Sequence, residues 1–486
     1  MTLSNVATPT FSQPLSSLTR IFHAQKEAFR LNPYPSLAQR RKNVKAIKRQ
    51  VARYQDVLCD AVSRDFATRS AAETKMLDLL PTALQADHVH SQLRQWMRPS
   101  HRWPSLLMAS NSLRVDYQPK GVVGIISPWN FPFYLALGPL ITALAAGNRV
   151  MLKFAENLPA SSAVMRKILG EIFDESEVAV FGDELQDPTA FTSLPFDHIV
   201  FTGSPRVGKL VMRAAADNLT PVTLELGGKS PAVITRGYSL SEAALRIVHG
   251  KTVNCGQVCL SPDYALVPRE SVEEFVHEAK ASFTKLIGER FHETRDYTAL
   301  IDDRSLARIS DVLADAARLG AKIIPCAPYD RARDGRRMPL HIVTNCTADM
   351  RILKEELFGP VLPIVPYDKL EDAIAFINTR ERPLALYCFG HDRDARNSVL
   401  TNTQSGGVTI NDWIWHAINH AAPFGGVGNS GMGSYTGIEG FRELSHARTV
   451  FKRHRFFPVG LFYAPYLNFV QNLTLKLFLG SPDKTV

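Results

Sequence analysis

The chain has 486 residues, of which 45% are hydrophobic and 21% charged, and its formal net charge is +9. This composition excludes a disordered or fibrous protein, and the length predicts about three structural units. The basic excess is mild and favours anionic small molecules as ligands, whereas nucleic-acid binding would need the charge gathered on one face. Six scattered cysteines are too few for a disulfide scaffold.

The start of the chain and two apolar stretches bear on its location. The first residues lack the basic and apolar regions of a secretion signal, so we expect a cytoplasmic protein. Residues 121–148 are uncharged, but their prolines predict a strand, a loop and a helix and not a transmembrane span. The aromatic tail, 456–486, is expected to pack at an interface, with weak membrane-surface contact as the alternative.

Taken in chain order, the periodicity of apolar residues first predicts helices over residues 15–100. Basic residues between Arg40 and Arg53 are interpreted as a solvated helix face, with a phosphate-binding stripe as the alternative. From residue 113, strands alternate with helices, which predicts an α/β fold with a parallel, doubly wound sheet. The predicted helices are Tyr134–Ala146, Ser161–Phe173, Arg206–Asn218, Ser239–Asn254, Val272–Leu286 and Ser305–Leu319, and the predicted strands include 113–118, 121–126, 149–153, 198–203, 221–226 and 231–235.

The first motif with chemical meaning is HIVFTGSPRVGKL, residues 198–210. An apolar strand runs into Gly203, and Gly208-Lys209 follows at the spacing of a phosphate-binding loop. Such a loop needs Ser or Thr next to hold magnesium, but this chain has Leu210. A strand, a glycine turn and a helix N-terminus remain, which suit a pyrophosphate without a metal.

The second motif is NCGQVC, which contains Cys255 and Cys259. No second cysteine pair has ligand spacing, so we predict no metal site here. A thiol nucleophile is the favoured interpretation; it requires a proton acceptor and donors for the oxyanion that it creates. Two inert buried thiols are the alternative. The motif places Cys255 on the last helical turn before the loop.

Five motifs, taken together in their order along the chain, identify the sequence far more specifically than any one of them does alone. They are PWNFP (128–132), LELGGKSP (224–231), GQVC (256–259), EELFGP (355–360) and PFGGVGNSGMG (423–433). With them the sequence resembles the aldehyde dehydrogenase family over nearly its whole length. It is most similar to the class that includes fatty-aldehyde, benzaldehyde-type and coniferyl-aldehyde dehydrogenases, the last of these above all.

The resemblance implies the fold, the reaction and a role for each matching residue. It implies a Rossmann-type dinucleotide-binding domain, an α/β catalytic domain and oxidation of an aldehyde to the acid through a cysteine thioester. Cys259 matches the nucleophile, Glu225 the general base and Asn130 the oxyanion donor. The cofactor is expected to be NAD, with NADP as an alternative. The positions that match its binding residues are Lys153, Glu156, Gly203, Ser204, Glu356 and Phe358.

The sequence departs from the family in one place and leaves the substrate open. The family usually has K-P-S-E where this chain has Lys153-Phe154-Ala155-Glu156, which puts the cofactor geometry in doubt. Four aromatic residues are candidates for an aromatic substrate pocket, with core or interface packing as the alternative: Phe131, Tyr134, Trp413 and Trp415. A fatty aldehyde, or an acylating or phosphorylating reaction of the same fold, remains open. A non-enzymatic basic binding protein is the alternative from another class.

The expected domain organisation follows the same resemblance. The cofactor domain is expected over 1–104 and 119–224, and the catalytic domain over 225–430. An oligomerisation element is expected at 105–118 and 446–455, where a hairpin pairs with the strand HARTVFK. Because a protruding strand leaves an unpaired edge, we expect a homodimer.

Overall fold

The computed structural model describes residues 17–185 and 187–480. Residues 1–16 of the predicted cofactor domain and 481–486 of the tail therefore lie outside the described residues. The helices are α1 (Ser17–Leu31), α2 (Leu37–Arg53), α3 (Gln55–Phe66), α4 (Ala71–Thr74), α5 (Leu80–Trp96), α6 (Tyr134–Ala146), α7 (Pro159–Gly170), α8 (Pro188–Thr192), α9 (Pro205–Ala216), α10 (Leu240–Thr252), α11 (Val272–Leu286), α12 (Asp303–Arg318), α13 (Arg331–Asp334), α14 (Arg351–Lys354), α15 (Leu370–Asn378), α16 (Arg393–Asn402), α17 (Gly437–Glu443) and α18 (Phe469–Leu479).

The strands form three sheets. They are β1 (Ser100–Arg102), β2 (Ser112–Pro119), β3 (Val122–Ile126), β4 (Arg149–Lys153), β5 (Val178–Phe181), β6 (His198–Thr202), β7 (Val222–Glu225), β8 (Pro231–Ile234), β9 (Tyr264–Pro268), β10 (Lys322–Pro325), β11 (His341–Thr344), β12 (Val361–Tyr367), β13 (Ala385–Phe389), β14 (Gly407–Ile410), β15 (Gly431–Met432) and β16 (Ser445–Lys452). The sheet orders are β15-β7-β6-β3-β4-β5, β10-β11-β12-β9-β8-β13-β14 and β1-β2-β16.

The two large sheets have the architecture that strand–helix alternation predicts. Strands β3 to β7 pair in parallel, and β15 returns antiparallel to β7. In the second sheet only β10 runs antiparallel to its neighbour. Residues such as Val123 and Ile125 are wholly buried because helices cover both faces of a parallel sheet. The α/β prediction is therefore confirmed.

The position of Arg40 corrects one prediction, because this residue lies against the end of helix α6 and not on a solvated helix face. The helix is apolar all round, and of its residues only Tyr134 escapes full burial. Arg40 of α2, predicted on a solvated face, is itself buried. Its guanidinium donates to the carbonyls of Ala145 and Ala146, which have no partner within α6 because they end the helix. Arg40 therefore caps helix α6 and is not part of a solvated basic surface on α2.

The described chain divides into two compact units. One contains the residues up to Trp96 together with Gln118–Ser445, and the other contains Met97–Tyr117 and the residues from His446 onward. The second unit holds the hairpin of β1 and β2, with β2 beside β16. The first strand of this hairpin precedes the predicted range, because Leu106–Met108 forms a 3-10 turn between the strands.

Candidate active site

A cavity of about 340 Å³ collects most of the predicted site residues. It lies at the carboxyl ends of β6 and β7, beside the loop that follows β3. Open α/β sheets bind ligands at this edge. Its lining consists of Pro128, Trp129, Asn130, Thr202, Gly203, Ser204, Glu225, Leu226, Gly227, Cys259, Ser305, Arg308, Glu356 and Phe358. The three predicted catalytic residues, from three separate motifs, therefore share one cavity.

The segment that presents Cys259 has an unusual backbone. Helix α10 ends at Thr252, earlier than predicted, and Cys255 lies in a 3-10 turn beyond it. The left-handed conformation of Asn254 (φ 48°) and Cys255 (φ 54°) ends the helix there. The next residue, Gly256, must be glycine, because its φ is +74° and a Cβ would lie 2.3 Å from the Gly359 carbonyl oxygen. This turn separates the environments of the two cysteines.

The two cysteine side chains point to different surroundings. Cys259 lines the cavity, whereas Cys255 is wholly buried, with its Sγ 3.6 Å from the Tyr297 hydroxyl and 3.7 Å from the Met338 carbonyl. Burial, with added repulsion from Glu356 and Glu225, raises the pKa of the Cys259 thiol to about 12. The thiol is therefore protonated at neutral pH in this state of the protein, and it has to lose its proton when it reacts.

Asn130 is held next to the nucleophile segment. Its Nδ2 donates to the Gln257 carbonyl at 3.2 Å, which uses one of its two N–H groups. The backbone carbonyl of Asn130 accepts from the Arg69 guanidinium at 2.6 Å and from Asn254 Nδ2 at 3.0 Å. The second N–H of Nδ2 is thus available for an oxygen in the cavity.

Glu225 ends β7 and is wholly buried beside the cavity. Both carboxylate oxygens are without a hydrogen-bond partner among the described residues. Strand β7 places Glu225 next to the Gly203–Ser204 turn, since the Gly203 amide donates to the Glu225 backbone carbonyl at 3.0 Å. Burial raises the pKa of the Glu225 carboxyl well above its usual value. A buried carboxylate of this kind can take a proton from a water or a thiol.

The residues predicted to bind the cofactor fit a dinucleotide. Ser204 is the N-cap of α9, accepting from the Val207 amide, so the Gly203–Ser204 turn leads into the N-terminus of a 12-residue helix. At the end of β4, in the same sheet, Lys153 forms an ion pair with Glu156, whose side chain is 52% exposed. These groups offer donors to a pyrophosphate and a carboxylate to ribose hydroxyls.

The opposite side of the cavity supplies a second carboxylate and two rings. Burial, with repulsion from Asp263, raises the pKa of Glu356 to about 8. A side chain at position 227 would displace the Glu356 carboxyl from this place, because a Cβ there would lie 2.0 Å from Glu356 Oε2. The Phe358 ring meets Trp129 edge to face at 5.4 Å, and its backbone has a φ of 46°. This arrangement fits a nicotinamide riboside: a carboxylate for its hydroxyls and a wall for its ring.

The four aromatic residues predicted for a substrate pocket do not line this cavity. Phe131 is buried, and the Arg69 guanidinium lies 5.0 Å from its ring centroid. The Tyr134 ring is 6.2 Å from His420. Trp413 is buried and donates to His249, whereas Trp415 is 57% exposed and donates to Asp412.

Three residues of the site were missed by sequence reasoning. Asn254 lies in the NCGQVC motif and Tyr435 follows the PFGGVGNSGMG motif by two residues, but nothing marked their roles. Tyr435 is wholly buried, its hydroxyl has no partner in the part of the chain that the structure describes, and burial together with Tyr134, Glu225 and Cys259 raises its pKa. Arg69 lies in a polar segment without any motif, so no signal could have found it.

Over 17–185 and 187–480, no group of three or more His, Cys, Asp or Glu side chains has the arrangement of a metal site. No helix within the same residues is long and apolar enough to span a membrane. All six cysteines are free thiols.

Comparisons with known proteins agree with the geometry. Residues 15–450 match the aldehyde dehydrogenase family. The chain is 44% identical to a probable coniferyl aldehyde dehydrogenase of Pseudomonas aeruginosa, over 96% of this chain and 97% of that protein. The substrate-bound structure of Staphylococcus aureus AldH superposes with a TM-score of 0.89 at 30% identity, covering 95% of this chain and all of that one. A Mycobacterium tuberculosis aldehyde dehydrogenase complexed with NAD+ gives 0.81 at 27% identity, covering 90% and 91%.

Proposed function

The chain belongs to the aldehyde dehydrogenase family and oxidises aldehydes with a nicotinamide cofactor, and on that premise we propose that its substrate is an aromatic aldehyde of the coniferaldehyde type. The acceptor is NAD. The observation that carries the chemistry is the meeting of Cys259, Glu225 and Asn130 in one cavity beside the Gly203–Ser204 turn. The choice of substrate is supported by the 44% identity to a probable coniferyl aldehyde dehydrogenase.

In the proposed mechanism, the Cys259 thiol gives up its proton to water and its Sγ adds to the aldehyde carbon. The resulting oxyanion accepts hydrogen bonds from Asn130 Nδ2 and the backbone N–H of Cys259, and losing one such donor typically costs about 3 kcal/mol of barrier. When bound, the nicotinamide ring supplies the hydride acceptor. Glu225 then takes a proton from the water that attacks the Cys259 thioester, which releases the acid and the free thiol. Glu225 favours water as the acyl acceptor over phosphate or a thiol cofactor.

The proposal extends to the cofactor contacts and the domains. Ser204 and the N-terminus of α9 bind the pyrophosphate, Lys153 and Glu156 the adenosine ribose, and Glu356 with Phe358 the nicotinamide riboside. Strands β3 to β6 and nearly all of β7 belong to the cofactor domain, 1–104 and 119–224, and the seven-stranded sheet belongs to the catalytic domain, 225–430. Residues 105–118 and 446–455 belong to the oligomerisation element of a homodimer. The six free thiols support a reducing, cytoplasmic location.

Steady-state kcat/KM values on coniferaldehyde, benzaldehyde and decanal, with NAD and no added phosphate or coenzyme A, test the substrate. We expect coniferaldehyde to give the highest value. Decanal as the best substrate would replace the aromatic aldehyde with a fatty aldehyde. NADH production that depended on phosphate or coenzyme A would contradict hydrolysis as the final step.

A further inference from the structure

The segment after β16 exposes apolar side chains in place of burying them. Helix α18 begins at Phe469, directly after Asn468, whose side chain caps it, and its one buried residue is the polar Gln471. Gln471 Nε2 donates to the carbonyls of Leu461 and Tyr463, which ties the helix to the chain before it. We call six of the exposed apolar residues of this segment the tail surface: Phe456, Tyr466, Phe469, Leu473, Leu477 and Leu479.

Such a surface needs an apolar cover, because a helix that is apolar on its outer side is normally buried. Phe469 is 82% exposed and Leu479 is 79% exposed. At 11 residues, α18 is about 16 Å long, roughly half of a bilayer's hydrocarbon thickness. It can therefore lie along a membrane surface but cannot cross it.

The net charge of the compact unit that contains the tail surface indicates which kind of surface covers it. Residues 97–117 and 446–486 contain nine Lys and Arg against two Asp, a net of +7 out of the +9 of the whole chain. From Ser445 to Pro482 there is no acidic residue, and Lys452, Arg453 and Arg455 directly precede the tail surface. Anionic lipid headgroups would attract a unit of this charge.

We propose that the tail surface docks on an anionic lipid membrane. The apolar side chains enter the boundary between headgroups and acyl chains, and Lys452, Arg453 and Arg455 contact the phosphates. Tyr463 and Tyr466, with an apolar ring and a polar hydroxyl, suit that boundary. Trp103 of the same unit is 99% exposed and suits it equally. The contact is peripheral and reversible.

Vesicle flotation of the full chain tests this surface. We expect binding to vesicles in which about a third of the lipid is phosphatidylglycerol, little binding to pure phosphatidylcholine, and release by salt. Because each basic residue near such a surface contributes about fivefold, the triple variant Lys452→Glu, Arg453→Glu, Arg455→Glu should bind roughly 100-fold more weakly. The double variant Leu473→Asp, Leu477→Asp should also lose binding.

The matched control reverses three exposed charges on α2, with Lys42→Glu, Lys45→Glu and Arg49→Glu. This variant should bind the anionic vesicles like the unchanged chain, and all variants should keep dehydrogenase activity. Failure of the full chain to bind, or equal loss in the control, would overturn the proposal. Conversion of a dimer to a monomer by Leu473→Asp, Leu477→Asp would show that a second copy covers the tail surface instead.

A separate set of contacts concerns Arg69, which is buried between α3 and α4. Its Nη1 donates to the Asn130 carbonyl at 2.6 Å and to Asn254 Oδ1 at 3.2 Å, and Asn254 Nδ2 in turn donates to Asn130 and Gln257. Its Nη2 lies 4.0 Å from the carboxylate of Asp78. One guanidinium thus joins the loop of the oxyanion donor to the loop of the nucleophile.

From this geometry we infer that Arg69 is a positioning residue for the oxyanion site, which rests on the role proposed for Asn130. Arg69 contacts no reacting atom. Its planar fork fixes the Asn130 backbone relative to the turn that carries Cys259, and displacements near 1 Å at such sites can cost about 100-fold in rate. A lysine keeps the charge but cannot reproduce the fork.

A double-mutant cycle with Arg69→Lys and Asn130→Ala tests this inference. We expect Arg69→Lys to lower kcat by about 10- to 100-fold with unchanged NAD affinity, and to have little further effect when Asn130 is already alanine. The control Arg336→Lys removes another arginine that donates to backbone carbonyls, those of Leu300 and Phe66, and should spare kcat. Additive losses would make Arg69 merely structural. An Asn130→Ala variant with normal kcat would instead refute the role of Asn130.

Discussion

At the scale of single residues, Cys259 and Cys255 differ in what their sulfurs can reach. Cys259 opens to the cavity, whereas Cys255 Sγ is enclosed beside Tyr297 and Met338. Cys259→Ala should therefore abolish NADH production, and Cys255→Ala should leave a working enzyme. Steady-state NADH formation measures both. Equal inactivation by the two substitutions would reopen the assignment of the nucleophile.

We expect the pair of Lys153 and Glu156 to govern the choice between NAD and NADP. A carboxylate beside the adenosine ribose repels a 2′-phosphate, and the neighbouring ammonium group partly offsets this repulsion. We expect a preference for NAD without strict exclusion of NADP. Glu156→Gln should lower the ratio of kcat/KM with NAD to kcat/KM with NADP by about tenfold. A strong preference of the unchanged enzyme for NADP would show that Glu156 faces elsewhere.

The buried carboxyl of Glu225 should give the reaction an acid limb. Only the ionised form accepts a proton, and burial raises the pKa of this group well above its usual value. Turnover should therefore fall as the pH drops through that raised pKa and recover above it. A kcat profile against pH measures the limb. Its persistence at the same pH in Glu225→Gln would assign it to another group.

At the scale of elements, patterns local in sequence could be predicted and distant contacts could not. Helices α6 and α11 have the predicted bounds, since apolar periodicity and capping are encoded within each segment. The early end of α10 was missed because it depends on left-handed residues that are not glycine. Arg69 joins residues 61 and 185 positions away, and no local pattern records such a contact.

Strand β16 carries the prediction of a homodimer. It forms one edge of the three-stranded sheet, and most of its residues are exposed. Because an unpaired edge favours pairing with another strand, a second copy should cover it. Light scattering at micromolar concentration should give twice the 54.0 kDa of one chain. A monomeric mass would contradict the prediction.

At the scale of the whole molecule, the sequence named Cys259, Glu225 and Asn130 as candidate catalytic residues because five motifs occur in the order of one family. The motifs are far apart in the chain, and the sheet edge brings three of their side chains to one cavity. The substrate was not predictable in the same way. The four aromatic residues predicted for it do not line this cavity, and their part in substrate binding stays a prediction.

The central claim is that Glu225 activates the water that hydrolyses a Cys259 thioester, and pre-steady-state NADH formation by Glu225→Gln tests it most directly. The account predicts a burst of at most one NADH per site, then turnover slowed by roughly 10²–10⁴-fold, with acyl label on Cys259 by mass spectrometry. Loss of the burst itself would show that Glu225 is needed first to deprotonate the thiol. A normal burst followed by a normal steady-state rate would contradict the account.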